Sequence, residues 1–173
     1  MHYIIPSGSD VSDMAIMNLK AAISPVDSRE NVELAIKELF PKVIIPKNEN
    51  SERTFPIKIE NEDIIINDID YTYFLERMHV TKIADTALDC MSQNIVNEFT
   101  TFKISRQAAL AGKIAFVLPN ENPLGGCFEL TLNSPNLIAW IEEVTWHKGR
   151  DEVPREVNDE LKMRKDGVPQ EWF

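Results

Sequence analysis

The chain has 173 residues and a mass of 19.8 kDa, with 18 Lys and Arg against 28 Asp and Glu, a formal net charge of −10 at pH 7. Apolar residues at 43% and charged residues at 27% lie near the averages of globular proteins and exclude a chain that is disordered throughout. The acidic balance excludes a surface coated with phosphate-binding groups, so affinity for nucleic acid is confined to a local patch.

Residues 1–13 read as a polar leader, because Pro6, Gly8 and the Ser/Asp cluster offer no periodic apolar face. From Met14 to Ser24 the apolar positions Met17, Leu19, Ala21 and Ile23 alternate with Asn18 and Lys20, which predicts a strand with its odd-numbered face inward. Pro25 to Ser28 forms a turn in which Asp27, three residues before Glu30, is positioned to cap a helix. That helix carries Val32, Ala35, Ile36, Leu39 and Phe40 at helical spacing and stops at Pro41. Short strands are predicted over 42–46, 54–60 and 63–67, the last two as an antiparallel hairpin. After Asp70, Phe74, Met78, Ile83, Ala87, Leu88 and Met91 predict a long amphipathic helix with a break near His79-Val80-Thr81. Strands follow over 98–105 and 114–118, joined by a single helical turn at 105–109. The Pro/Asn/Gly-rich loop 119–126 leads to a strand over 127–132 and to a helix that begins at Pro135. The predicted order is β-α-β-β-β-α-β-β-β-α, an α+β fold with a mostly antiparallel sheet and helices packed on one face. One domain spans 14–146, and 147–173 is a mixed-charge C-terminal tail.

Cys90 and Cys127 lie in no CxxC or Cys/His spacing, which suggests core thiols in a reducing interior rather than a disulfide or a zinc site. Residues 1–8 lack the features of a signal peptide, and every apolar run falls short of the ~20 residues a membrane-spanning helix needs. A cytoplasmic protein without membrane association is the expectation. The histidines His2, His79 and His147 stand in unrelated contexts, so no Ser/His/Asp or Cys/His constellation supports covalent catalysis. Asp68 and Asp70 suit a divalent cation, as in a metal-dependent nuclease, but carboxylates ahead of a helix are more often charge complements to its N-terminus. Gly125-Gly126 lacks the remainder of a phosphate-loop motif, and no cofactor is implied. Trp140 shares the inward side of the last helix with Leu137 and Ile141, which favours core packing over base stacking.

Charge is unevenly distributed. Residues 1–76 carry seven cations against fourteen carboxylates and 119–147 carry four carboxylates without a cation, whereas 77–118 has five cations against three carboxylates. Arg77, Lys82, Lys103, Arg106 and Lys113, with Gln107 among them, form the candidate set for contact with RNA phosphates.

The run from Ile104 to Phe116, followed by Asn122-Pro123-Leu124-Gly125, resembles a mostly uncharacterised archaeal family of small proteins for which RNA binding has been suggested. Ser24 to Ser28 ahead of the helix ending in Phe40-Pro41, Lys82 to Ala87, and Ser134-Pro135 to Ile141 fall in the same order, so the resemblance covers roughly 14–146. It implies a fold similar to the large-subunit ribosomal protein that binds 5S RNA, a homodimer, and RNA contact by Lys82, Arg106, Gln107 and Lys113. The expectation is a non-enzymatic protein that binds structured RNA through this basic segment. The alternative is an acidic, dimeric protein-interaction scaffold whose sheet face and C-terminal Trp172 and Phe173 engage a protein partner.

Overall fold

The computed structural model describes residues 14–47 and 61–159. Strand β1 (Ile16–Ile23) buries Met17, Leu19, Ala21 and Ile23, as its alternation predicts. Helix α1 (Arg29–Leu39) buries Val32, Ala35, Ile36 and Leu39 and ends where Phe40 N–H bonds the Ile36 carbonyl ahead of Pro41. Its N-cap is Ser28, whose hydroxyl accepts from Asn31 N–H. The cap predicted at Asp27 is displaced by one residue, because the Asp27 carboxylate is occupied by the backbone N–H and hydroxyl of Ser24.

The strand predicted over 42–46 does not form. Pro41 and Pro46 bracket these residues, and no ladder partner among the described residues meets them. Val43 and Ile45 pack against the core, while Arg29 Nη2 holds the Pro46 carbonyl at 2.9 Å. The strand predicted over 54–60, and with it the hairpin, lies outside the described residues. Strand β2 (Glu62–Ile66) pairs antiparallel with β1, Ile64 opposite Ala21 and Ile66 opposite Leu19.

The long helical segment divides, near the predicted break, into α2 (Thr72–Val80) and α3 (Ala84–Ser92). Lys82 N–H bonds the His79 carbonyl, Ile83 N–H bonds the Met78 carbonyl, and Lys82 adopts φ +58°. This is a Schellman turn with lysine at the left-handed position where glycine is favoured. Strand β3 (Phe99–Ser105) runs into the short helix α4 (Arg106–Leu110), capped by the Ser105 hydroxyl. Strand β4 (Phe116–Val117) has two residues, shorter than the predicted 114–118. Strand β5 (Cys127–Asn133) is followed by helix α5 (Leu137–Val144), whose N-cap is Asn136, so Pro135 precedes the helix rather than opening it.

The sheet order is β2-β1-β5-β3-β4, antiparallel throughout. Phe128, Leu130 and Leu132 of central β5 join Met17, Leu19 and Ala21 of β1 and Phe102 and Ile104 of β3 in one core with the inward residues of the helices. Strands β1, β5 and β3 bury no residue on the opposite face of the sheet. Residues 147–159, predicted as the start of a tail, pack on the helical layer: Val157 is buried in the core and its N–H bonds Glu142 Oε1 at 3.1 Å. No helix among the described residues is long and apolar enough to cross a membrane.

Candidate binding surfaces

The residues proposed for RNA contact come to different places. Arg106 is buried, and each of its guanidinium nitrogens is bonded within the fold: Nε to the Gly125 carbonyl, Nη1 to the Ala22 carbonyl at 2.8 Å and Nη2 to Asp27 at 3.2 Å. It ties the end of β1, the 24–28 turn and the glycine turn into one joint. Gly126, at φ +78°, lies against the guanidinium, where a Cβ would collide with it. Arg106 is therefore turned inward instead of toward phosphates. Gln107, its neighbour on α4, is exposed.

Lys103 stands on the open face of the sheet, opposite Glu129 of β5 on one side and Val117 of β4 on the other. Arg77, near the end of α2, donates from Nη2 to the Gly112 carbonyl at 2.9 Å, which brings it beside Lys113. Lys82 is exposed just past the end of α2. The helical side thus carries Arg77, Lys82 and Lys113, and the opposite side carries Lys103. Trp172 and Phe173 lie outside the described residues.

The acidic pair ahead of α2 serves the fold. Asp70 pairs with Lys42 Nζ at 2.7 Å and accepts from Thr72 N–H at 2.9 Å; these bonds hold its carboxyl at a pKa of about 2. Asp68, at φ +51°, donates its N–H to Asn18 Oδ1. Among the described residues no group of three or more His, Cys, Asp or Glu side chains is placed to hold a metal ion. Cys90 is buried and Cys127 half-buried, and the two are not joined in a disulfide. Trp140 is buried edge-on against Tyr71.

A charged network absent from the sequence reading joins α3 to residues 147–159. Asp85 accepts from His147 Nε2 at 3.0 Å and from Arg150 Nε at 3.2 Å, and one helical turn later Asp89 pairs with Arg155, which also binds Asp159. Since His147 Nδ1 accepts from Gly149 N–H, the ring proton sits on Nε2 and is donated to Asp85. Burial pushes the Asp85 carboxyl up, but His147 and Arg150 together outweigh it and leave its pKa lowered. The four-residue spacing of Asp85 and Asp89, and of Arg155 and Asp159, was the available signal.

No family model matches the chain. A UPF0201 protein of Aeropyrum pernix is 24% identical over 137 residues, covering 75% of this chain and 85% of that protein. A UPF0201 protein of Sulfurisphaera tokodaii is 28% identical over 131 residues, covering 73% and 86%. The solved UPF0201 protein from Methanococcus jannaschii superimposes with a TM-score of 0.61 at 18% identity, over 78% of this chain and 96% of that one. The chain is thus similar in sequence to these UPF0201 proteins and in fold to the solved one. A second solved UPF0201 protein gives a TM-score of 0.56 at 21% identity, over 70% of this chain and 84% of its own. The UPF0201 likeness speaks to fold and leaves the function to be argued from sites. The analogy to a ribosomal protein rests on the sequence resemblance alone.

Removing the Arg106 side chain leaves two carbonyls and a carboxylate without their partner, so Arg106→Ala is expected to cost about 3 kcal/mol of unfolding free energy. Urea denaturation measures it; a loss within error of zero would show that the joint does not hold these segments. Asp27, Asp70 and Asp85 all have pKa values below those of free carboxylates: Asp27 chiefly through Ser24 N–H against the opposing effect of burial, Asp70 through Lys42, and Asp85 through His147 and Arg150. A folded-state pKa below the unfolded value adds stability above about pH 4 that is lost as the pH falls through the folded pKa. The urea midpoint is therefore expected to be level near neutrality and to drop steadily from pH 4 toward pH 2. A midpoint unchanged over that window would contradict the assignment.

Proposed function

We propose that the chain is a non-enzymatic interaction protein that works as a homodimer, its copies meeting on the open face of the sheet. The observation that carries this reading is the composition of that face. Ile16, Ile65 and Phe99 are 48%, 54% and 50% exposed, around a centre of Thr101 and Thr131, whose hydroxyls lie 3.4 Å apart. The charges on its strands are balanced, Lys20 and Lys103 against Asp63 and Glu129, and Lys20 pairs with Asp63 at 3.1 Å. A chain of net charge −10 repels its own copy over most of its surface, but not here. A twofold axis along the strands, between β5 and β3, sets Thr131 of each copy opposite Thr101 of the other, as a self-complementary interface requires.

A second reading, weak contact with structured RNA, is favoured by Arg77, held beside Lys113 through the Gly112 carbonyl, and by Lys82, exposed past the end of α2. Lysine at the left-handed position of the α2 turn is conformationally costly, and an exposed cation there is what that cost retains. Three phosphate contacts are fewer than the roughly six to ten that make salt dependence steep.

Light scattering on size-separated protein is expected to give twice the chain mass, and Thr131→Arg, at the centre of the face, is expected to give a folded monomer. A wild-type monomer at every concentration would sink the dimer reading. For RNA, binding to a structured fragment is expected to weaken with log salt at a slope of about −2 to −3. Lys82→Gly is expected to raise the urea midpoint by relieving the turn, by up to about 1 kcal/mol, while weakening that binding. Binding with no salt dependence, or unaffected by Lys82→Gly, would rule phosphate contact out.

A further inference from the structure

Along its outer edge, β3 is only partly paired. Val96 exchanges both backbone bonds with Phe99, and β4 meets the strand at Lys103 and Ile104. Between these contacts lies Thr101, whose carbonyl accepts from Asn94 Nδ2 at 3.1 Å. In an antiparallel strand the N–H and C=O of one residue point to the same side. Thr101 therefore turns its N–H into the gap as a backbone donor with no strand among the described residues to receive it.

The gap opens on a cleft of about 280 Å³ between the C-terminal end of α3, β3 and the 118–122 loop. At the ~30 Å³ that a water molecule occupies in the liquid, this is room for about nine non-hydrogen atoms, just under the roughly 300 Å³ at which pockets for drug-sized ligands begin. Two charged residues line it, Lys103 and Glu121, one of each sign. They form no ion pair with each other or with another described residue, and the Glu121 carboxylate is held to the loop by Leu118 N–H at 3.2 Å through Oε2 alone. The remaining polar wall includes the carboxamides of Gln93, Asn120 and Asn122, whose side chains take no partner among the described residues. The end of α3 adds the partial negative charge of its last carbonyls, which favours a cation.

A small cleft with one ammonium, one carboxylate, a spare backbone donor and several carboxamides is the complement of a small zwitterion. We propose that it binds a free α-amino acid with a polar, uncharged side chain. The ligand carboxylate is received by Lys103 and Thr101 N–H, its ammonium by Glu121 and the end of α3, and its side chain by the carboxamides. Each contact is a charge-assisted or neutral hydrogen bond, and no bond is made or broken.

The test is isothermal titration calorimetry on the full chain with each of the common L-amino acids in turn, and with inorganic phosphate and adenosine monophosphate as comparators. Saturable binding of one or a few polar amino acids is expected, weakened tenfold or more by Lys103→Ala and by Glu121→Gln. Neither side chain forms an ion pair among the described residues, and the carboxamide oxygen introduced by Glu121→Gln can still accept from Leu118 N–H. The ligand-free melting temperature of Glu121→Gln is therefore expected to stay within about 2 °C of wild type, and Lys103→Ala, which also removes a charge from the proposed dimer face, is compared with wild type at equal dimer content measured by light scattering. Absence of saturable binding by any amino acid would overturn the proposal. So would binding unchanged in both variants, or binding of phosphate or the nucleotide in place of amino acids.

Discussion

Burial of Phe128, Leu130 and Leu132 on the central strand constrains most of what surrounds them. Their side chains fill the space between β1 and β3 and the helices above, and a strand repeats its facing every second residue. A register slip of one residue would put Cys127, Glu129, Thr131 and Asn133 into the core, at a cost of several buried polar groups. The register is thus fixed, and with it the row Lys20, Glu129, Lys103 on the other side of the sheet. The chemistry of the open face follows from a packing requirement beneath it.

The second organising feature is that cations in this acidic chain are largely engaged by the fold. Arg29 joins Glu33 and Glu62, Lys42 joins Asp70, Arg106 joins Asp27, and Arg150 and Arg155 fasten residues 147–159 to α3. Exposed pairs such as Lys42 with Asp70 contribute little stability, but the buried guanidiniums of Arg106 and Arg150 join segments far apart in sequence. A count of charge along the chain cannot distinguish a cation facing solvent from one closing a joint. The positive segment 77–118 consequently divides into an inward arginine, a small cationic group on the helical side and a lysine on the sheet.

The legible parts of the fold were those with a strong period. The alternation in 16–23, the helical spacing in 29–39 and the break between α2 and α3 were all present in the sequence, because burial imposes those patterns directly. Residues 42–46 misled because Val43-Ile44-Ile45 has strand composition, but Pro41 and Pro46 bracket it and no ladder partner among the described residues meets it. Pro135 was one turn-setting residue too early for the helix start, since Ser134 and Asn136 organise that turn. The role of Arg106 was not legible: it depends on the Ala22 and Gly125 carbonyls and on Asp27, 84, 19 and 79 positions away. The network on Asp85 and Asp89 is equally long-range, and only the spacing of its residues hinted at it.

The brevity of β4 has a consequence for solubility. A sheet edge with a long row of unpaired backbone groups is a template on which further chains can add, and proteins blunt such edges by shortening or interrupting them. Here the edge strand is two residues long and is followed almost at once by Pro119, which has no N–H to offer. On that side the sheet terminates itself. A further strand would find only a short, interrupted row of backbone groups there, with Val117 turned to the open face and Phe116 already packed against Phe102.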